Sequence, residues 1–517
     1  MDTAAISNRH SLAADGLAEV PLRLNQSVQI VVADAWASAS AGQLLVSCLV
    51  NLLCRQARLI RSINVVARSG PKVIRLPNEN GAKEFPGCLV SLTEWAVRDA
   101  VTCSVSNACQ GAVDWTIVVG DGCDDASADS LFVVGTGWRA WVGALSVAPK
   151  GVVPAHENPL GPFLAAALAA GEVFKRIRGI RRGRLLSEDG YSLWSGRHSA
   201  RWSDLEDGPD LVGQELPALH VIGAGAVGNG LCYILANMKS ANGYAAIIDD
   251  DTYDDTSLNR CTLAGWRDVG HPKVDALSRV LRAAAFGTFR SPHTISGYLE
   301  SDREGLRPDM AEQANDLSFN IVVSCVDRGI SRQDVQGLAP RLLVGGSTLG
   351  LAARANHYPD RSGAACLACF NPAERDGEKI RAMERRLWNM PVKERTAFLL
   401  AHEIDATAVE AWLTSAQCGS LGEAAIKDLA TRVPSEFSVG FISLGAALLL
   451  GSMLLRLTLF RKAEIERGDM YALNFLNGGA MDSFQAPDSY CEWECQKRRA
   501  QPGRSNAQAS STRSTAA

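Results

Sequence analysis

Three glycines carry the strongest chemical signal in the 517-residue chain. Gly223-Ala-Gly225-Ala-Val-Gly228 follows an apolar run, Ala218–Ile222, and opens a stretch that reads as a helix from about Ala226. Glycines at this spacing allow a tight turn, close approach of backbone to phosphate, and close helix–strand packing. The helix start then offers free N–H groups and partial positive charge to an anion. A second apolar run, Tyr244–Ile248, ends in Asp249-Asp250-Asp251. Asp249 is suitably placed to accept bonds from ribose hydroxyls. The pattern is strand, glycine turn, helix, strand with an acidic end, and it points to nucleotide binding. A lone glycine motif could equally be a packing turn.

Cations and a further acid follow in order: Arg260, Lys273, and Asp327 after the apolar run Asn320–Cys325. Any one of them alone reads as surface charge. Together, after a phosphate loop, they suit nucleotidyl transfer. Arg260 and Lys273 can neutralise a triphosphate, and Asp327 at the end of a strand can hold Mg²⁺. A hydride-transfer enzyme would need no such cation pair.

The 14 cysteines sort by position. Cys366-x₂-Cys369 and Cys491-x₃-Cys495 are two close pairs whose sulfurs suit one tetrahedral, closed Zn²⁺ site. Cys418 lies just before a helix expected from about Leu421, and a helix N-terminus favours the nucleophilic thiolate. It is the candidate nucleophile, against the plainer reading of a partly buried structural thiol. Cys261, beside Arg260, is the runner-up, and Cys325 falls in an expected core strand.

These residues need a scaffold of strands alternating with helices, which makes a parallel, doubly wound α/β sheet. The chain shows that layout twice. In the first half Val28–Ala33, Ile63–Ala67, Thr116–Val119 and Leu131–Val134 read as strands and Gln43–Ile60 as a helix. The turn there is Asp34-Ala-Trp36-Ala-Ser-Ala, without glycines, so no phosphate cradle is expected. Each half closes on a small-residue helix, from Asn158 and from Glu436, with Gly171 and Gly451 at similar depth. An internal duplication would account for both similarities; the plainer reading is a coincidence of two Ala/Leu/Gly-rich helices. The halves join near Arg176–Gln214. Boundaries fall at 1–15 (disordered), 16–200 (first, degenerate unit), 201–495 (second, active unit, with an insertion of about 373–435 around Cys418) and 496–517 (disordered tail).

Lys plus Arg number 52 and Asp plus Glu 56, for a net charge of −4. This near-balance argues against a mainly electrostatic nucleic-acid binder. The N-terminus has no apolar h-region. The charge-free stretch Phe437–Leu455 is marginal in length for a membrane span and is interrupted by Ser and Gly, so it reads as a buried core helix. A reducing cytoplasm, with no membrane, is the expected setting.

The segments HVIGAGAVGNG, IIDDDTYDDTSLNRC, VGHPKVDAL, VVSCVDRGISR and CLACF together resemble the ThiF/MoeB superfamily, which includes the ubiquitin-activating enzymes. That resemblance implies two tandem Rossmann-like adenylation domains, the first degenerate and the second active, with a structural zinc. It implies that Asp249 meets the ribose with Asp251 in support, that Arg260 and Lys273 meet the phosphates, and that Asp327 meets Mg²⁺. It also implies a ubiquitin-like protein activated by ATP, a thioester at Cys418, and transfer to a conjugating enzyme. The bacterial relatives it looks most like belong to ubiquitin-like conjugation operons used in antiphage defence. The chain departs from the family where Ser257 and Cys261 stand in place of Asn and Gln. Other readings stay open: a sulfur-carrier adenylyltransferase, a non-catalytic nucleotide-binding scaffold and, behind these, an NAD oxidoreductase. The chain could act as a pseudo-dimer in itself or as a homodimer.

Overall fold

The structure, a computed structural model, describes residues 23–499 apart from 79–81, 123–126, 128, 180–187, 304–319, 370, 372–382, 385, 389, 416–420, 433–438 and 461–467. Two eight-stranded sheets carry the two halves. From edge to edge the first runs Thr102–Ser106, Ile60–Val66, Gln26–Val32, Trp115–Val119, Leu131–Thr136, Arg139–Ala144, Asp189–Ser192 and His198–Ser199. The second runs Phe286–Ser291, Gly243–Ile248, Leu219–Ile222, Ile321–Ser324, Leu342–Leu349, Ala352–His357, Met470–Asn474 and Ala480–Ser483. In both, the first five strands are parallel and the last three join antiparallel. The two halves thus match strand for strand in order and sense.

The parallel strands read as near-continuous apolar runs because both faces of such a sheet are covered. Their inner faces meet a shared helical layer. Helix Leu160–Ile177 packs on Ser40–Cys54 and on Gly440–Leu455, and Gly440–Leu455 packs on Ala226–Ala236. Apolar residues of both halves join in one continuous core. Every residue of Gly440–Leu455 is buried. With its continuation as a wider π-turn to Phe460 it is long and apolar enough to cross a membrane. Here it is covered on all sides by protein, which explains why its composition lacks a polar face.

Two expectations need correcting. The first-half helix ends at Cys54 rather than Ile60, because Ile60 already begins a strand. A continuous apolar run hides that change of period. Gln496–Arg499 also belong to the fold: they form a short helix with Cys495, and Arg499 donates to the carbonyls of Ala364 (2.5 Å) and Pro359 (3.1 Å). The segment read as the joint supplies the last two strands of the first sheet.

Within the expected insertion, helices Val392–Ala401, Ala406–Thr414 and Leu421–Arg432 gather around their own core of Leu387, Leu399, Val409, Ile426 and Leu429. Arg395 and Glu410 clamp it with a bidentate ion pair at 2.5 and 2.7 Å.

Candidate nucleotide and acceptor site

The glycine turn sits where the strand order reverses, between Leu219–Ile222 and Ile321–Ser324, the usual ligand crevice of an open α/β sheet. Gly223 has φ +98°, and a Cβ there would come within 2.7 Å of the Cys325 backbone. A Cβ on Gly228 would lie 2.0 Å from the Gly223 carbonyl oxygen. Gly225 is different: the space where its Cβ would stand is open. Two glycines therefore fold the turn, and the third leaves its outer face bare. This separates two predictions. Gly228→Ala forces backbone to move and lowers stability by about 1–3 kcal/mol, read as a fall in melting temperature. Gly225→Ala should leave melting unchanged and, on the expectation that phosphate approaches the backbone at this open face, should weaken ATP binding about tenfold.

Asp249 ends strand Gly243–Ile248 and uses both carboxylate oxygens. One accepts the Ala224 N–H of the glycine turn at 2.5 Å, and the other accepts the Asp251 N–H at 2.9 Å. Burial pushes its carboxyl above the usual range, against the pull of Lys273 and the two N–H donors. Lys273 opens helix Lys273–Ala283 and donates to Asp251 at 2.6 Å. Burial acts to lower its pKa, but the carboxylates of Asp249 and Asp251 outweigh burial and hold it above lysine's ordinary value. The loop, the acid and the cation are thus one hydrogen-bonded unit.

Arg260 follows the short 3₁₀ turn Asp255–Asn259. Its guanidinium donates to the Thr256 carbonyl at 2.7 Å and to Asn259 Oδ1 at 3.0 Å, and no ion pair holds it among the described residues. Ser257, at the family's Asn position, has a structural task. Its hydroxyl and N–H both donate to Asp254 at 2.7 Å, closing a capping box. Asn259 is fully buried beneath Arg260 and presents no surface to a ligand. Cys261 is 1% exposed, and burial raises its thiol pKa, so it is corrected from runner-up nucleophile to core residue. Burial likewise keeps Cys325 a thiol. Cys418 lies outside the described residues; a helix does begin at Leu421, where expected.

Asp327 is exposed three residues beyond strand Ile321–Ser324 and lines a cavity of about 520 Å³ beside the glycine turn. Arg332, Arg354, Asn356 and Asn371 share that cavity. Arg332 reaches the Val326 carbonyl (3.0 Å) and Asn371, while Arg354 Nε has no partner among the described residues. The sequence reading missed Arg354 and Asn356. Their alternation in Ala352–His357 was the available signal: one face meets the buried helix, the other faces the cavity.

At the corresponding strand end of the first half the space is filled. Trp36 is buried at the end of strand Gln26–Val32, with its ring against Gly120, where a Cβ would lie 2.1 Å from the indole. An aromatic ring fills the crevice that the second half leaves open.

The four zinc-candidate cysteines converge. All four sulfurs lie within 4.8 Å of one another and all four residues are buried. Cys366 is 3.6 Å from Cys491 and 3.7 Å from Cys369, and Cys369 is 3.6 Å from Cys495. A tetrahedron of sulfurs at about 2.3 Å from Zn²⁺ has edges of about 3.8 Å. The donor set and spacing fit that ion.

This is a nucleotide-binding, Rossmann-like α/β fold in which the glycine turn, Asp249, Asp251 and Lys273 form one hydrogen-bonded unit beside a polar cavity. The family model described as ThiF family matches residues 217–486, over half of the chain, and the chain belongs to the ThiF family. A second model, the BilD N-terminal domain, matches residues 27–185. Among curated relatives, "Uncharacterized protein y4jF" of Sinorhizobium fredii is 24% identical over 61% of this chain and 57% of its own length. "Bacterial E1-like protein BilD" of Collimonas sp. is 33% identical over 24% of this chain and 27% of its own. The chain therefore spans less than two thirds of either relative. Among solved structures, E. coli MccB with ATP aligns at 16% identity and TM-score 0.34, covering 53% of this chain and 65% of that one.

Proposed function

We propose that the chain activates the C-terminal carboxylate of a ubiquitin-like protein by adenylation, then takes the acyl group onto Cys418. The observation that carries this reading is the pairing of a phosphate loop, tied through Asp249 to Lys273, with a cavity that starts at Asp327 and has room for an extended peptide end. Membership of the ThiF family and similarity to a protein named bacterial E1-like support it.

In the first step an acceptor carboxylate oxygen bonds to the α-phosphorus of ATP. The bond to the bridging oxygen breaks, and pyrophosphate leaves with that electron pair. Arg260, Lys273 and the N–H groups at the start of Ala226–Ala236 stabilise the charge that develops. Asp327 would hold Mg²⁺, which when bound supplies counter-charge to the phosphates. In the second step the Cys418 thiolate bonds to the acyl carbon and AMP leaves. The thioester then passes to a conjugating enzyme.

Exchange of labelled pyrophosphate into ATP, dependent on an added ubiquitin-like protein, is the direct test; its absence with every candidate acceptor sinks the adenylation step. Cys418→Ala should keep exchange and lose the thiol-reducible conjugate seen on non-reducing gels. A conjugate that persists in Cys418→Ala removes Cys418 from the scheme. An acceptor released as thiocarboxylate points instead to sulfur-carrier chemistry.

A further inference from the structure

The half that lost its phosphate loop reaches across to the loop that carries Arg260. Asn51 and Arg55 stand one turn apart at the end of the first-half helix, and both are completely buried. Arg55 Nη1 donates to the Leu258 carbonyl at 2.7 Å, and Nη2 donates to the carbonyls of Ala264 (2.8 Å) and Thr262 (3.3 Å). Its Nε donates to Asn51 Oδ1 at 2.9 Å, and Asn51 Nδ2 donates to the Thr262 carbonyl at 3.0 Å. Trp95 of the same half lies 5.8 Å from the guanidinium, and its carbonyl crowds Gly265, where a Cβ would come within 2.5 Å.

The same loop is held from its other side by the second half. Asn229, on the helix that follows the glycine turn, accepts from the Leu263 N–H at 2.8 Å and from the Thr262 hydroxyl at 3.2 Å, and donates to Tyr253 at 3.0 Å. The segment from Leu258 to Ala264 is therefore pinned between an arginine of one half and the phosphate-loop helix of the other. Arg260 lies in the middle of it.

A guanidinium with no carboxylate partner among the described residues is costly to bury, and an apolar side chain would pack this position at less cost. What an apolar residue cannot do is fix three carbonyls at once. The planar fork of five N–H donors can.

We propose that Arg55 is a positioning residue of the nucleotide site, supplied by the first half. It sets the path of Leu258–Ala264 so that Arg260 faces the triphosphate, and it touches no substrate itself. The degenerate half thereby completes the active one. This rests on the reading that Arg260 binds phosphate.

The test uses the full chain, a fluorescent N-methylanthraniloyl ATP with Mg²⁺ as the probe, and thermal melting alongside. Arg55→Lys keeps the charge and loses the fork, and it should weaken nucleotide affinity tenfold or more. Leu52→Ala, in the same helix and equally buried at the interface, should lower melting and leave affinity as in wild type. Asn51→Ala, a milder change in the same network, should weaken affinity a few-fold and keeps the test open should Arg55→Lys not fold. In an Arg260→Ala background both losses should vanish, because the two residues act through Arg260. Wild-type affinity in both folded Arg55→Lys and Asn51→Ala overturns the proposal, as does a loss that persists unchanged without the Arg260 side chain. A wild-type chain that binds no nucleotide overturns the phosphate reading and this proposal with it. Normal wild-type binding with unaffected variants overturns this proposal alone.

Discussion

On the proposed adenylation reading, Lys273→Met should lower acceptor-dependent ATP–pyrophosphate exchange roughly 10²–10³-fold, the usual size of effect for removing one preorganised group that stabilises transition-state charge. Lys273 is mostly buried, bonds to Asp251 at 2.6 Å, and is held in its charged form by Asp249 and Asp251. A cation so held is in place before substrate arrives. Methionine keeps the packing of the stem and removes only the charge. The same change has a signature in pH. Burial already raises the Asp249 carboxyl, and Lys273 is the main opposing charge. In Lys273→Met the ionised Asp249 is less favourable still, so the variant melts below wild type at neutral pH. As pH falls through the raised Asp249 pKa and the carboxylates protonate, that cost disappears. The gap in melting temperature should close toward acid. A gap that stays constant or widens would mean that Lys273 does not serve these carboxylates.

The second large effect is on metal. Cys491→Ser, or chelation of the wild type, should take bound zinc from one ion per chain to none, measured by elemental analysis, and should lower the melting temperature. Structural zinc in small sites contributes about 10–16 kcal/mol of apparent binding energy. Here it would join two chain segments that are far apart in sequence. Gln333 to Glu492 at 2.6 Å and Leu367 to Gln336 at 2.8 Å seat the cysteine cluster on helix Gly329–Gly337, and Arg499 ties the C-terminal segment to the Ala364 carbonyl. Its neighbours Leu367, Asn371 and Gln485 also line the cavity beside Asp327. Metal loss should therefore abolish exchange with the acceptor while ATP binding, centred on the glycine turn, survives. Full exchange by a metal-free protein would separate the cluster from the site.

Sequence alone determined whatever depends on local order. The glycine turn, the strand before it and the acid after it are contiguous, and each residue type has one physical reason to be there. The βαβ unit around the glycine turn followed, while the strand order was set by the fold. The matching closing helices were readable because helices buried on nearly every side are dominated by apolar and small residues; the buried Glu172 and Lys175 of Leu160–Ile177 pair with each other. The end of the first-half helix was not readable, because Ile60 suits a strand and a helix core equally well. Ser257 was legible only as a departure; its capping task depends on where Asp254 lies.

Tertiary structure decided everything that crosses the chain. Convergence of two cysteine pairs separated by over a hundred positions can be suggested by spacing but is decided by folding. Trp36 filling the first crevice requires Gly120 to come up against it from another strand. Arg354 becomes a cavity residue only when sheet pairing sets which way its strand faces. In the sequence Arg55 looks like an ordinary cation within the expected helix Gln43–Ile60. Only packing of the two halves turns it inward onto the carbonyls of Leu258, Thr262 and Ala264. Hydrogen-bond partners are chosen by distance in space, and no pattern along one chain encodes which backbone will arrive.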